Sequence, residues 1–232
     1  MTRDQLQRRA WDAYDVYLFD IDGTLLSCTD AVHYFAFCKV LSLVADRPVN
    51  LDGVVAHGNT DVGILRDAFR IANVPEATWR PKLVEMQQQM CHFVELHRND
   101  LSITVLPKVF EVLEHLHSRG ALLGVATGNL KGIGQVKLQR CDLLRQFDFG
   151  EYSDPYEYRH DVFRGAVLQA RALAAEDASL CVVGDTPEDI RSARLNGLDV
   201  IAVATGIYDY ESLRKEEPNW CLRSLADLAV SP

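Results

Sequence analysis

Four short apolar runs, separated by segments of helical character, limit this chain to a few architectures. The runs are "DVYLFDI" (15–21), "ALLGVAT" (121–127), "SLCVVGD" (179–185) and "DVIAVATG" (199–206). Such runs are typical of strands buried on both faces of a parallel sheet. Helical patterns cover 107–119, 161–175 and 187–196, with Pro107 in the first turn of the first of them. The alternation predicts an α/β fold, a Rossmann-like parallel sheet with right-handed crossovers.

Residues 27–100 interrupt this alternation. Apolar residues recur there at helical spacing, and no convincing buried strand stands among them. We therefore predict an inserted all-helical cap domain over 27–100, with the core domain formed by 1–26 and 101–232.

Composition excludes several classes of partner. The 232-residue chain is 48% hydrophobic, which suffices for a sizeable core. Its formal net charge of −9 and the lack of a basic run argue against a nucleic-acid partner. The charged N-terminus has no apolar signal core, and the longest mostly apolar stretch is too short to span a bilayer. We expect a cytoplasmic monomer or homodimer with no membrane partner, whose six cysteines are reduced.

Polar residues and glycines follow the first three apolar runs. They are Asp20, Asp22, Gly23 and Thr24 after the first, Thr127, Gly128 and Asn129 after the second, and Gly184, Asp185, Thr186 and Asp189 after the third. The carboxyl ends of parallel strands meet at one edge of a sheet, so these groups are expected to lie together. Carboxylates crowded at one edge repel each other unless a cation neutralises them, and oxygen ligands suit Mg²⁺.

Each motif also has a purely structural interpretation. An isolated D-x-D after a strand is most often a loop or a helix cap, and "ATGN" (126–129) can be a glycine turn. Thr186, Pro187 and Asp189 read as an N-cap, a first helical residue and a capping-box partner. The occurrence of all three motifs in order, each at a strand end, favours a functional site.

"DIDGT", "ATGN" and "GDTPED" in this order resemble the haloacid dehalogenase-like hydrolase superfamily. The helical insertion after the first motif resembles its helical-cap phosphatases, of the phosphoglycolate phosphatase and β-phosphoglucomutase type. The resemblance covers nearly the whole chain. It implies a magnesium-dependent phosphatase that hydrolyses a small phosphorylated metabolite, phosphoglycolate or a sugar phosphate, through an aspartyl-phosphate.

The resemblance also implies roles for individual residues. Asp20 corresponds to the nucleophile and to a magnesium ligand. Asp22 corresponds to the residue that acts as general acid and then as general base, and the backbone carbonyl of Asp22 corresponds to a second metal ligand. Thr127 orients the phosphoryl oxygens, Asp185 is a metal ligand and Asp189 supports the metal site. The glycines and polar groups beside these residues are expected to bind substrate: Gly23, Thr24, Gly128 and Asn129. As an acid, Asp22 needs a raised pKa, which neighbouring carboxylates are expected to supply.

The family pattern requires a basic residue between the second and third motifs. In "SDPYEYRHDVF" (153–163) Arg159 is the basic residue directly before the predicted helix, so we assign this role to it. A surface arginine near a helix end is the structural alternative. Lys131 and Lys137 are alternatives for the role, but they follow "ATGN" closely and are expected on the next helix.

In the cap, "HGNTD" (57–61) resembles the loop that faces the active site in phosphoglycolate-phosphatase-like proteins, so Gly58 and Thr60 are expected to contact substrate. Alternatively, Asn59 or Thr60 only caps the following helix. The cap arginines are expected to be mostly solvated: Arg47, Arg66, Arg70, Arg80 and Arg98.

Other functions remain open at this point. A phosphomutase of the same branch retains both aspartates. A phosphonatase needs a cap lysine, for which Lys39 and Lys82 are candidates without a persuasive context. Dehalogenases of this superfamily lack the second aspartate, so Asp22 argues against that activity. A catalytically silent binding module is the alternative from outside enzymology.

Overall fold

The computed structural model describes residues 9–228. Its main sheet has six parallel strands, because each apolar run packs between helices on both faces. The strands are β1 (Val16–Phe19), β4 (Leu122–Ala126), β5 (Phe149–Glu151), β6 (Leu180–Gly184), β7 (Asp199–Val203) and β8 (Trp220–Leu222). Their order is β5-β4-β1-β6-β7-β8, with β1 central and its four residues 0% exposed. The predicted α/β fold and all four predicted strands are confirmed.

The helices that flank this sheet are α5 (Val109–Ser118), α6 (Lys131–Arg140), α7 (Arg159–Leu173), α8 (Pro187–Leu195) and α9 (Tyr210–Lys215). Two details differ from the sequence prediction. Helix α5 begins after Lys108, whose φ of 65° is left-handed, so Pro107 precedes the helix instead of lying in its first turn. Helix α7 begins two residues earlier than predicted, which makes Arg159 its first residue.

Between β1 and β4 the chain forms the helices of the cap: α1 (Val32–Ala45), α2 (Asp61–Ile71), α3 (Glu76–Trp79) and α4 (Leu83–Leu96). A separate apolar cluster holds them together, and it extends onto Leu130, Ile133 and Val136 at the start of α6. The helical character predicted for this segment is confirmed, whereas the domain boundaries stay a prediction.

Two short strands that the sequence did not predict flank the cap segment. They are β2 (Leu26–Cys28) and β3 (Ile103–Val105), which pair antiparallel. The pairing brings both connections between cap and core together. At three residues each, the strands are too short to produce a clear alternating pattern.

No helix within residues 9–228 is long and apolar enough to cross a membrane. The cytoplasmic location stays a prediction.

Candidate active site

A cavity of about 490 Å³ opens at the carboxyl edge of the main sheet, between the core and the cap. Most of the residues predicted for the site line it: Asp20, Asp22, Gly23, Gly58, Thr127, Gly128, Asn129, Arg159 and Asp185. Three others, Thr24, Thr60 and Asp189, are buried beside the cavity without lining it. The three motifs therefore meet at one place, as their positions at strand ends predicted.

Arg159 joins two buried carboxylates. Its Nη2 lies 2.8 Å from Asp20 Oδ1, and its Nε lies 2.6 Å from Asp189 Oδ1. The arginine is 5% exposed, so the alternative of a solvated surface arginine does not apply. Its position at the start of α7 aims the side chain back over the sheet edge, where the guanidinium offers separate nitrogens to separate acids.

Asp189 forms the predicted cap of α8 and also contacts Arg159. Its Oδ2 accepts hydrogen bonds from the Thr186 backbone N–H (3.0 Å) and hydroxyl (2.7 Å), while the Thr186 side chain accepts from the Asp189 N–H. These contacts form the predicted capping box of α8. Its other oxygen pairs with Arg159, so the cap of this helix also fixes the cation beside Asp20.

Asp20, Asp185 and Asp189 form a buried acidic cluster, with one oxygen of each within 4.8 Å of the others. Burial raises the pKa of Asp20 to about 6, with Asp189 and Asp22 adding to the shift and Arg159 opposing it. Burial, Asp189 and Asp20 raise the pKa of Asp185 to about 9. One arginine therefore does not neutralise these acids. A hard divalent cation fits this set of oxygen ligands, because it would offset the burial and the repulsion that raise both pKa values.

Asp22 differs from the expectation for a general acid. Burial raises its pKa, but Lys137 and Asn129 lower it more, so the pKa of Asp22 lies below its ordinary value. Lys137 Nζ donates to Asp22 Oδ2 over 2.7 Å, and Asn129 Nδ2 donates to the same oxygen over 2.9 Å. The predicted rise from neighbouring carboxylates is wrong, because the Lys137 cation and the Asn129 amide stabilise the charged form of Asp22. Both bonds end on Oδ2, which leaves Oδ1 for a substrate.

Lys137 lines the cavity and contacts Asp22, although its position soon after "ATGN" predicted only a place on the next helix. It lies on α6, as expected, but it is 3% exposed. One signal was available. Leu130, Ile133 and Lys137 follow one another at i, i+3 and i+7, so the lysine lies on the face that α6 buries.

Two residues predicted to contact substrate, Thr24 and Thr60, make contacts within the protein and do not line the cavity. Thr24 Oγ1 lies 3.4 Å from Asp185 Oδ1, to which it donates. Thr60 is the N-cap of α2, and its side chain accepts a hydrogen bond from the Gly63 N–H over 2.9 Å. This is the capping role that the sequence offered as an alternative to substrate contact. The Gly23 turn has φ +79°, and a Cβ there would lie 2.3 Å from Asp185 Oδ2. Gly23 thus permits the close approach of two motifs.

The cap contacts the core through the residues of the 57–61 motif. The Asp61 N–H donates to the Gly128 carbonyl over 2.7 Å, and Asp61 Oδ2 accepts from the Leu130 N–H over 2.8 Å. Thr60 Oγ1 donates to the Glu157 carbonyl over 2.9 Å. The cap loop is therefore held against the second motif and against the segment that leads to Arg159.

Two cap arginines are not simply solvated, contrary to expectation. Arg80 pairs with the Glu157 carboxylate, and Arg66 Nη1 lies 3.4 Å from the other oxygen of that carboxylate. Glu157 is two residues before Arg159, so these pairs link cap helices to the same segment. The phosphonatase candidates Lys39 and Lys82 are not among the lining residues, and Lys39 Nζ lies 5.1 Å from the centre of the Phe93 ring.

The family model of the haloacid dehalogenase-like hydrolases matches residues 17–203. A phosphoglycolate phosphatase of Synechococcus elongatus is 30% identical over 128 residues, 55% of this chain and 58% of that protein. A probable phosphatase, IndB, of Dickeya dadantii is 30% identical over 87% of this chain and 86% of its own. The pyrophosphatase PpaX of Anoxybacillus flavithermus is 25% identical over 91% of this chain and 93% of its own.

Solved structures share the fold. CbbY of Rhodobacter sphaeroides, bound to xylulose-(1,5)-bisphosphate, superposes with a TM-score of 0.68 at 20% identity, covering 93% of this chain and 96% of that one. A hydrolase of Pseudomonas syringae superposes with a TM-score of 0.64 at 20% identity, covering 87% and 90%. The match of the family model agrees with the order of the three motifs. The chain belongs to the haloacid dehalogenase-like hydrolases, and its curated relatives in that family are phosphatases and pyrophosphatases.

Proposed function

We propose that this chain is a magnesium-dependent phosphatase that hydrolyses a small phosphorylated metabolite through an aspartyl-phosphate at Asp20. The observation that carries the proposal is the surroundings of Asp20. Its carboxylate lines the cavity and pairs with the buried Arg159 within an acidic cluster. Phosphoryl transfer needs in-line positioning and neutralisation of oxygen charge more than a strong nucleophile, and a carboxylate held beside a buried guanidinium supports this role for Asp20.

Magnesium fits the acidic cluster. The carboxylates of Asp20 and Asp185 would hold it, with the Asp22 backbone carbonyl as the family resemblance implies. Asp189 supports the site by holding Arg159 in place. When bound, Mg²⁺ neutralises charge on the phosphoryl oxygens.

The residues of the cavity divide the reaction between them. An Asp20 oxygen attacks phosphorus, the bond from phosphorus to the ester oxygen breaks, and Asp22 gives its proton to the departing alkoxide. Water then attacks the aspartyl-phosphate and passes a proton to Asp22, which releases inorganic phosphate and restores Asp20. The Thr127 hydroxyl and the Arg159 guanidinium hold the phosphoryl oxygens.

Asp22 needs a proton before it can act as an acid. Lys137 and Asn129 keep its pKa low in the substrate-free protein. A phosphate monoester loses its second proton with a pKa of about 6, so a substrate that binds as the monoanion can hand this proton to Asp22. We therefore expect kcat/KM to fall as the pH rises above about 6.

The test is phosphate release from a panel of small phosphate esters, with Mg²⁺ and with a chelator. Release is expected to need both the metal and Asp20, so Asp20→Asn should abolish it. Asp177→Asn, a change at an exposed aspartate, is the matched control and should behave as wild type. Thermal melts establish that each variant folds. Full activity of a folded Asp20→Asn variant, or activity that is unaffected by chelation, contradicts the proposal.

The role of Asp22 has its own test. Asp22→Asn should slow turnover severely while substrate still binds, because the alkoxide then leaves without a proton. Wild-type turnover in this variant would remove Asp22 from the mechanism.

A further inference from the structure

The cap supplies an apolar wall to the active-site cavity. Five side chains of the cap form it and are called here the leaving-group wall: Tyr34, Phe37, Leu51, Ala56 and Ile64. Phe37 is 3% exposed and Ile64 5%, so both are fixed by packing in the cap cluster. A substrate whose phosphate lies at Asp20 presents the rest of its structure to this side of the cavity.

Among residues 9–228, two Lys and Arg side chains line the cavity, and one of them, Lys137, directs all three of its donors to protein atoms. Its ammonium group carries three N–H bonds. They point to Asp22 Oδ2 at 2.7 Å, Asn129 Oδ1 at 2.9 Å and His33 Nδ1 at 3.4 Å. His33 thus accepts on Nδ1, and its Nε2 faces Asp61 Oδ2 at 3.2 Å. The charge of Lys137 is paired with the Asp22 carboxylate.

The other, Arg159, is committed to the phosphoryl group. Two of its nitrogens face Asp20 and Asp189, its Nη1 lies beside Gly128, and the side chain lines the cavity next to Asp20. The transferring phosphoryl oxygens need these donors. A second anionic group of a substrate would have to reach past the phosphoryl group to use them.

The cap itself contributes negative charge to the cavity. Asp30 and Asp61 line it, and the cap arginines Arg66 and Arg80 turn away to Glu157. An anion against the leaving-group wall would therefore lose water without gaining a cation, and it would lie near two carboxylates. Both effects disfavour its binding.

We propose that the substrate is a phosphate monoester whose leaving group is an uncharged alcohol. Esters that carry a second anionic group, such as a carboxylate or another phosphate, are disfavoured. This inference rests on the proposed phosphatase function and deepens it. It separates this chain from the relatives named for phosphoglycolate and pyrophosphate, because both of those compounds carry a second anionic group.

Matched pairs of esters test the proposal with the wild-type enzyme and saturating Mg²⁺. Glycerol 3-phosphate is compared with 3-phosphoglycerate, and fructose 6-phosphate with fructose 1,6-bisphosphate. We expect kcat/KM to be at least about tenfold higher for the member without the second anion. Equal or higher kcat/KM for the anionic members overturns the inference while the phosphatase function stands. Release from no ester at all refutes the phosphatase function itself.

A charge placed in the wall gives a second readout. Leu51→Lys adds a cation at a partly exposed position of the wall, and Leu51→Met changes its shape without charge. In Leu51→Lys, the ratio of kcat/KM for the uncharged ester to kcat/KM for the anionic ester should fall at least about tenfold. In Leu51→Met, this ratio should stay within about twofold of the wild-type value. If both variants change the ratio alike, charge does not set the preference. A further outcome would overturn the inference: wild type hydrolyses acidic esters well, and His57→Gln hydrolyses them poorly. In that case His57 recognises the second anionic group.

Discussion

Replacing Asp185 by asparagine should stabilise the metal-free protein at neutral pH. Asp185 is 4% exposed, and its surroundings raise its pKa from an ordinary value of 3.8 to about 9. A carboxyl group whose pKa is raised by folding stabilises the protein fully below pH 3.8. That contribution is lost progressively as the pH rises towards about 9. Asparagine has nearly the same shape and no charge, so it avoids the loss.

The size of the effect follows from the shift. Each pKa unit corresponds to about 1.4 kcal/mol, so at pH 7 the free energy of unfolding should increase by up to about 4 kcal/mol in Asp185→Asn. For a chain of this size that is a rise in Tm of at most about 8–16 °C. At pH 5 the difference should shrink to about 2 kcal/mol or less.

Thermal melts in a chelator at pH 5 and pH 7 measure this difference, with Asp177→Asn as the control that should leave Tm unchanged. Added Mg²⁺ should raise the Tm of wild type and have little effect on Asp185→Asn, since the variant lacks a ligand. The reasoning is refuted if Asp185→Asn melts below wild type at pH 7 in the chelator. A gain in stability that does not shrink at pH 5 would refute it equally.

Three further outcomes are expected. Gly128→Ala should lower kcat/KM at least about tenfold with little loss of stability. The new Cβ would lie 2.2 Å from the Asn59 carbonyl oxygen and would displace the cap loop. Wild-type kinetics in this variant would show that the close contact is dispensable. Arg159→Met should lower the free energy of unfolding by about 3–5 kcal/mol in chemical denaturation at pH 7, since it leaves Asp20 and Asp189 buried without a cation. A smaller loss in Arg159→Lys would show that charge is the main term. Binding of Mg²⁺ near pH 6 should release protons, because the pKa of Asp20 is about 6; calorimetric enthalpies that do not depend on the buffer would contradict this.

The fold could be predicted because the apolar runs are long enough to be recognised as buried strands, and because the motifs lie at the ends of these runs. Asp20, Asp185 and Arg159 were assigned by order along the chain and by resemblance, and the fold brings them together. Position relative to strand ends is a local property, and the rules for parallel sheets convert it into spatial proximity. The capping box of α8 was likewise visible, because it involves four consecutive residues.

What could not be predicted depends on contacts between distant segments. The low pKa of Asp22 depends on Lys137, which is 115 residues away, so neighbours in sequence gave the wrong sign. The ion pairs of Glu157 depend on how two cap helices approach the core. The strands β2 and β3 form only because the cap returns the chain to its starting point.

The contacts at Glu157 couple the position of the cap to the position of Arg159. Arg66 and Arg80 pair with the Glu157 side chain, Thr60 donates to its carbonyl, and two residues later Arg159 pairs with Asp20. Any displacement of the cap pulls on the segment that places Arg159. A cap transplanted from a relative would therefore change turnover as well as selectivity, unless it brought matching partners for this segment.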